Sequence, residues 1–425
     1  MPDHAPPGHS PIDDARLSLS KDRMRVLLLE GINDSAVELM RRAGYTNIER
    51  VATALDGDAL RAALAGVHVL GIRSRTQVTG AVLAGADRLM AVGCFNVGTD
   101  QVELGAARAA GVPVFNAPFS NTRSVAELVI GEIVMLLRRV MPRSVAAHAG
   151  GWEKAAVGSF EVRGKVLGIV GYGNIGTQLS ALAEAMGMRV VYYDRTQKLR
   201  YGNTEAVETL AALLAMSDVV SLHVPETVET TGMIGAREIA AMKRGAYLIN
   251  NSRGGVVDLD ALAAALHAGH LGGAAVDVFP VEPASNKERF ASPLQGAPNV
   301  ILTPHIGGAT EEAQARIGLE VAQKLVDYSD TGSTAGAVNF PQVQLPARQA
   351  TRFMHVHRNV PGMLGRVNEV FASRGLNILS QYLQTDAEVG YVVVDAEVCG
   401  AGGTILADMA ALPGTIRARL IYDPG

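Results

Sequence analysis

The stretch Lys165 to Asp194, KVLGIVGYGNIGTQLSALAEAMGMRVVYYD, constrains the fold more than any other part of the chain. Val166, Leu167, Ile169 and Val170 form a short apolar run, the length of a buried strand. Gly171-Tyr172-Gly173-Asn174-Ile175-Gly176 follows at once. Ile175, Leu179, Leu182 and Met186 then recur at spacings of four, three and four, one face of a helix. Gly187 stands where a left-handed cap closes such a helix. Met188 to Tyr193 reads as a second strand, and it ends on Asp194.

Each part has a physical task in holding a dinucleotide. Gly171 permits the tight turn, Gly173 lets a pyrophosphate approach the backbone, and Gly176 lets helix and strand pack closely. The N–H groups that open the helix attract phosphate charge. A carboxylate at the end of the second strand accepts both hydroxyls of an adenosine ribose and repels a 2′-phosphate, so Asp194 selects NAD over NADP. The alternative is a glycine-rich surface turn with a solvated Asp.

A chain of 425 residues holds two or three domains, and 48% hydrophobic residues supply large cores. A net charge of −4 gives no basic surface for nucleic acid. No apolar run reaches membrane-spanning length; the longest, Val125 to Met141, is broken by Glu127, Glu132, Arg138 and Arg139. Cys94 and Cys399 have no metal-ligand neighbours and make no disulfide framework, which fits a reducing, cytoplasmic setting with Cys94 buried. Residues 1–20 read as a disordered tail.

Strands are expected at Arg25–Leu29, Val67–Ile72, Leu89–Gly93 and Val112–Phe115, with a helix at Asp34–Ala43. Asp100-x-x-Glu103 and Ser124-x-x-Glu127 have the spacing of capping boxes, opening helices to Ala110 and Val140. From Lys165 onward six parallel strands are expected at 166–170, 188–193, 219–222, 246–250, 274–278 and 299–303, with helices at 174–186, 205–215, 235–242 and 258–268. This second α/β region starts in mid-chain, and a helix from Glu311 to Tyr328 returns to the first. The nucleotide domain, 121–307, is therefore inserted in a substrate domain, 21–120 and 308–345, with a cleft between them. Residues 329–350 read as a linker. The remainder, 350–425, has the strand-helix-strand-strand-helix-strand order of a ferredoxin-like α+β module, though glycines at 400, 402 and 403 predict a compromised second helix.

Ligands bind past the carboxyl ends of parallel strands. Asp194, His223, Asn251-Ser252-Arg253, Asp277 and His305 all fall there. Oxidation of a 2-hydroxy acid needs a cation for the carboxylate, a base for the hydroxyl proton and a group that keeps the base oriented. Arg253 suits the first, His305 the second and Glu282 the third. Asp277, at the end of its strand, is placed to meet the nicotinamide carboxamide or ring edge. Arg73 and Arg75 flank Ser74 at a strand end, and alternation would put both on one side, apt for a phosphate. An exposed basic pair is the plainer alternative.

GYGNIG with Asp194, NNSRGGVVD (250–258), DVFPVEP (277–283) and TPHIGG (303–308) resemble the D-isomer-specific 2-hydroxyacid dehydrogenases. So do GIRSRT (71–76), GCFNVGTD (93–100) and NAPFSNTRSVAEL (116–128), and the likeness runs from about residue 25 to 422. It implies a Rossmann-type NAD domain inserted in a flavodoxin-like substrate domain, followed by an ACT domain. It implies Arg253, Glu282 and His305 as the catalytic trio. NAD contacts are implied at Gly171, Gly173, Asn174, Ile175, Gly176, Asp194, Asn251, Ser252, Asp277, Gly307 and Gly308. Substrate contacts are implied at Arg73, Ser74, Asn121 and Lys154, and Arg75 joins them as the second member of the basic pair. The activity implied is oxidation of D-3-phosphoglycerate to 3-phosphohydroxypyruvate for serine synthesis, with reverse reduction of keto acids such as 2-oxoglutarate. The ACT domain implies L-serine as effector, at His357, Asn359 and Asn377. Trp152 and Lys154 match a segment that reaches a neighbouring subunit, implying a homotetramer. Another D-2-hydroxy acid substrate, or a non-catalytic NAD-sensing scaffold, suits the same motifs.

Overall fold

The computed structural model describes residues 19–283, 287–347, 350–397 and 402–421. The expected N-terminal tail falls almost wholly outside them, as does Cys399. The chain divides into two compact units, one running to Ser120 and resuming at Ala315, the other spanning Asn121–Gln314.

The first unit contains a five-stranded parallel sheet, ordered Asn47–Arg50, Arg25–Leu28, Val69–Ile72, Ala91–Cys94, Val114–Phe115. That is the 2-1-3-4-5 order of flavodoxin-like sheets. The edge strand Asn47–Arg50 escaped the sequence reading because it is mostly exposed and carries no apolar run. The long helix Glu311–Thr331 lays Ile317, Val321, Leu325 and Tyr328 in the core against this sheet. A Cβ at Gly93 would stand 2.7 Å from the Val321 side chain and 2.8 Å from that of Leu325, so only glycine lets them approach this closely.

Residues 332–347, expected as linker, are strapped to the sheet edge. The Asn339 side chain accepts from the Val114 N–H (2.8 Å) and donates to the Val112 carbonyl (3.0 Å). It stands in for a sixth strand and satisfies backbone groups that an edge leaves open.

Beyond it lies a four-stranded antiparallel sheet, ordered Ile378–Thr385, Val389–Ala396, Thr351–Arg358, Thr415–Leu420, with helices Met363–Ala372 and Gly402–Ala411. Alternation along Thr351–Arg358 sends Phe353 into a core with both helices, while Met354 and Val356 join the core that holds helix Glu311–Thr331. The helix at Gly402–Ala411 forms despite its opening glycines. Ile405, Leu406 and Met409, spaced three and four apart, are buried in the core, and tertiary burial overrides the poor start.

In the second unit seven parallel strands are ordered Val300–Leu302, Gly273–Val276, Tyr247–Asn250, Val219–Leu222, Val166–Val170, Arg189–Tyr193, Glu205–Ala206. Counted along the chain this is the doubly wound 3-2-1-4-5-6 arrangement with one strand added. The two-residue strand Glu205–Ala206 corrects the expected helix from 205, which begins only at Leu210 behind Thr209, whose hydroxyl accepts from the Ala212 N–H (3.1 Å).

Neither expected capping box forms. The first helix begins at Leu104, and Glu103 instead accepts from the Gly80 N–H (2.7 Å). The second begins earlier, at Thr122, and ends at Leu137. Its Ser124 pairs with Thr310 and its Glu127 with Arg123. Arg139 has a left-handed backbone (φ 53°), and a separate helix runs from Val140 to His148.

Arg352 is wholly buried. It makes a two-pronged contact with Asp395 (Nε–Oδ1 2.6 Å, Nη2–Oδ2 2.7 Å) and donates to the Thr331 and Pro346 carbonyls. It ties the antiparallel module to the end of helix Glu311–Thr331. Asp395→Ala leaves a buried guanidinium unpaired and should cost about 3–5 kcal/mol of unfolding free energy. Urea denaturation of the full chain measures it.

Candidate functional site

The glycine turn lies at the carboxyl end of Val166–Val170, where strand order reverses toward Val219–Leu222. Gly171 has φ 91°, and a Cβ there would meet the His223 carbonyl at 2.7 Å. A Cβ at Gly176 would stand 2.6 Å from the Gly171 carbonyl. At Gly173, the N-cap of helix Asn174–Ala185, nothing lies within 4 Å. Two glycines are required by the protein's own packing, while the third faces open space at a helix start, which fits a pyrophosphate. Asp194 is half-buried, and its carboxylate accepts from the Tyr172 N–H (3.0 Å) and from Thr196 N–H and hydroxyl. The acid at the ribose position is thus fixed to the glycine turn itself.

Arg253 sits in the loop after strand Tyr247–Asn250. The Asn250 side chain shapes that loop, donating to the Arg253 carbonyl (3.0 Å) and accepting from Ser252 N–H and hydroxyl. A Cβ at Gly254 would come 2.1 Å from the Phe279 carbonyl carbon. Glycine therefore lets the arginine loop pass directly against the segment that carries Glu282.

His305 Nδ1 lies 2.9 and 3.1 Å from the two Glu282 oxygens. The imidazole is half-exposed and has a left-handed backbone, φ 55°. Donation of a hydrogen bond to the Glu282 carboxylate raises the His305 pKa above its usual 6.5, against the pull of partial burial and of Arg253. Burial pushes the Glu282 carboxyl up, but the bond and charge of His305 and the charge of Arg253 carry it below the usual carboxylate range.

Asp277, 1% exposed, holds the loop on which His305 rides. Its carboxylate accepts from Thr303 Oγ1 (2.6 Å), Ile306 N–H (2.8 Å) and Gly307 N–H (2.7 Å). These bonds fix the loop 303–307 to the end of strand Gly273–Val276. Gly308 packs on Asn121, at the start of helix Thr122–Leu137.

Glu132 was read in the sequence only as an interruption of an apolar run. It is fully buried, and Asn251 Nδ2 donates to its Oε2 (2.9 Å). Burial, seconded by the charge of Asp277 and opposed by the Asn251 bond, pushes its pKa up to about 8. Its Oε1 and the Asn251 Oδ1 are buried with no protein partner among the described residues. No motif marked it; a lone acid in the stripe around Val129 and Ile133 was the only signal.

Arg73, Ser74 and Arg75 belong to the first unit. The strand before them stops at Ile72 and the chain bends, so strand alternation does not orient them. Lys154 is exposed, on an irregular segment of the second unit, beside a concavity of about 390 Å³ shared with Arg138, Arg143 and Trp152. His357 is 3% exposed; its Nδ1 meets the Arg358 carbonyl (2.9 Å), and its Nε2 is buried without a partner among the described residues. Asn359 donates to the Asp386 carbonyl (2.7 Å). Asn377 precedes strand Ile378–Thr385 at the opposite end of the sheet, about 20 Å away at ~3.3 Å per residue. One module does not bring the three together.

Comparison with known proteins places this geometry. Residues 130–307 match the family described as D-isomer specific 2-hydroxyacid dehydrogenase, NAD binding domain, and residues 353–417 match an AHAS small subunit-like ACT domain. D-3-phosphoglycerate dehydrogenase of Escherichia coli (strain K12) is 57% identical over 409 residues, covering 96% of this chain and 100% of that protein. The Haemophilus influenzae enzyme of the same name is 55% identical, covering 96% and 99%. Among solved structures, D-lactate dehydrogenase from Aquifex aeolicus, complexed with NAD and lactic acid, superposes with a TM-score of 0.63 at 28% identity, covering 72% of this chain and 95% of that one. The cofactor is NAD. With its glycine turn, its paired imidazole and carboxylate and its ACT domain, this chain belongs to the D-isomer-specific 2-hydroxyacid dehydrogenases.

Proposed function

We propose that this protein is a cytoplasmic enzyme that oxidises D-3-phosphoglycerate to 3-phosphohydroxypyruvate with NAD, opening serine synthesis, and that it also reduces keto acids such as 2-oxoglutarate in the reverse direction. The observation that carries the reading is the Glu282–His305 pair, held at strand ends beside Arg253. The names of the relatives supply the substrate.

When bound, NAD supplies the hydride acceptor. His305 Nε2, with Nδ1 tied to Glu282, takes the proton of the C2 hydroxyl as the C2–H bond breaks. Glu282 keeps the ring oriented and stabilises the imidazolium that forms. Arg253 holds the substrate carboxylate and polarises the C2 oxygen. Arg73 and Arg75 take the phosphate, with Ser74, Asn121 and Lys154 as further substrate contacts. Glu132, protonated at neutral pH, supports Asn251 from below without adding a charge beside Asp277.

L-serine is the effector we assign to the ACT domain. The buried, unpartnered Nε2 of His357 and the amide of Asn359 support one half of its site, with Asn377 from a second module as the other. The exposed apolar side chains of Val145, Trp152 and Val157 support a homotetramer.

Formation of NADH from NAD and 3-phosphoglycerate tests the reading, with unphosphorylated glycerate as comparison. No turnover with any D-2-hydroxy acid would favour a non-catalytic scaffold. His305→Ala should lower kcat about 100- to 10,000-fold, and Arg253→Lys about 100-fold through lost positioning. Near-wild-type turnover in either variant refutes its role.

The pH profile is a separate check. Oxidation needs neutral His305, so activity rises with pH through a pKa that Glu282 holds above 6.5. Glu282→Gln removes that support, and the acidic limb of kcat/KM should move to lower pH while the maximum falls. A limb that stays in place means Glu282 does not tune His305.

A further inference from the structure

The turn that carries Arg73 and Arg75 is not held by a strand ladder, because the strand ends at Ile72. A carboxylate from the turn after strand Arg25–Leu28 holds it. Glu30 Oε1 accepts from the Arg73 N–H (3.1 Å) and the Thr76 N–H (3.0 Å), and Oε2 accepts from the Arg75 N–H (3.0 Å). Gln101 Nε2 adds a bond to the Arg73 carbonyl (2.6 Å). Three N–H groups of one turn thus converge on a single internal anion, the geometry by which backbone concavities bind anions.

Glu30 occupies an unfavourable backbone conformation to do this. Its φ is 60°, in the left-handed region where glycine is at ease, and Gly31 follows at φ 62°. Non-glycine residues persist there when surrounding bonds over-determine them, commonly at functional sites. Glu30 N–H donates to the Thr53 carbonyl and Gly31 N–H to the Val51 carbonyl (both 3.3 Å), fixing the carboxylate's stem.

We propose that Glu30 is a positioning residue for the substrate's anionic end: its carboxylate fills the N–H concavity of residues 73–76, its carbonyl accepts from Arg73 Nη1 (3.5 Å), and together they set where Arg73 and Arg75 stand for the phosphate. Because the concavity is taken, recognition falls to the guanidinium groups, not to the backbone. This rests on the reading of Arg73 and Arg75 as phosphate ligands.

The test compares Glu30→Gly, Glu30→Gln and Arg73→Ala in the full chain, measuring kcat and both Michaelis constants. Glycine suits the φ, so Glu30→Gly keeps the backbone and removes only the carboxylate. It should raise KM for 3-phosphoglycerate about 10- to 100-fold, the worth of charge-assisted hydrogen bonds lost from the turn. KM for NAD should stay as in the wild type. Glu30→Gln, retaining one acceptor oxygen, should fall between. If Arg73→Ala raises that KM and Glu30→Gly does not, the role of Glu30 is overturned while the phosphate site stands. If Arg73→Ala has no effect, the phosphate site itself is wrong. Equal losses in both Michaelis constants overturn positioning in favour of a structural role.

Discussion

Three donors converging on the Asp277 carboxylate are the constraint on which the reactive side chains depend. The loop 303–307 contains His305 in a left-handed conformation, which costs a non-glycine residue about 1–2 kcal/mol. Bonds from Thr303, Ile306 and Gly307 to one buried carboxylate, with His305 N–H on the Asp277 carbonyl (2.8 Å), offset that cost and fix where the imidazole emerges. Asn250 does the same for Arg253 one strand away. In both places a side chain at or just past the end of a strand shapes a loop, so the rigidity of the parallel sheet passes directly to a group that must be held within fractions of an ångström.

The floor beneath these loops follows from the same residue. Asp277 and Glu132 are buried close together, and desolvation lifts the Glu132 pKa while the Asp277 charge adds to the effect. A neutral carboxylic acid is the form of Glu132 that low dielectric and a nearby anion both favour. The pair therefore carries one charge, committed to the histidine loop, and one neutral acid, committed to Asn251. The absence of a side chain at Gly254 then lets the Arg253 loop lie against the 279–282 segment, so that the guanidinium charge bears on both the Glu282 carboxylate and the His305 imidazole.

The sequence disclosed what depends on strong local patterns. The glycine turn, the apolar strands of both sheets and the trio at strand ends were legible, because buried parallel strands read as apolar runs and ligands gather past their ends. What stayed hidden depended on partners distant in sequence. Asn47–Arg50 is an exposed edge strand without an apolar run. Asn339 looks like a loop residue until it meets the edge strand at Val114. Glu103 has capping-box spacing but serves Gly80. The glycines before Ile405 suggest a broken helix until tertiary burial is counted. Asp277 was placed at the site, but its role there needed the contacts of the 303–307 loop. Glu30 and Glu132 had no signature beyond being acids among apolar neighbours.

The first unit's core joins residues 24–117 with residues 317–421. On the ribosome, about 200 residues of the second unit emerge before helix Glu311–Thr331 can cover the sheet at Gly93. At ~5–20 residues per second that delay lasts about 10–40 s. For that interval one face of the nascent amino-terminal sheet has no partner from its own chain, and neither Asn339 nor the antiparallel module has arrived to close the edge. The late-arriving segments thus act as an intramolecular clamp, completing the earliest-made sheet last and leaving its apolar surface uncovered until they do.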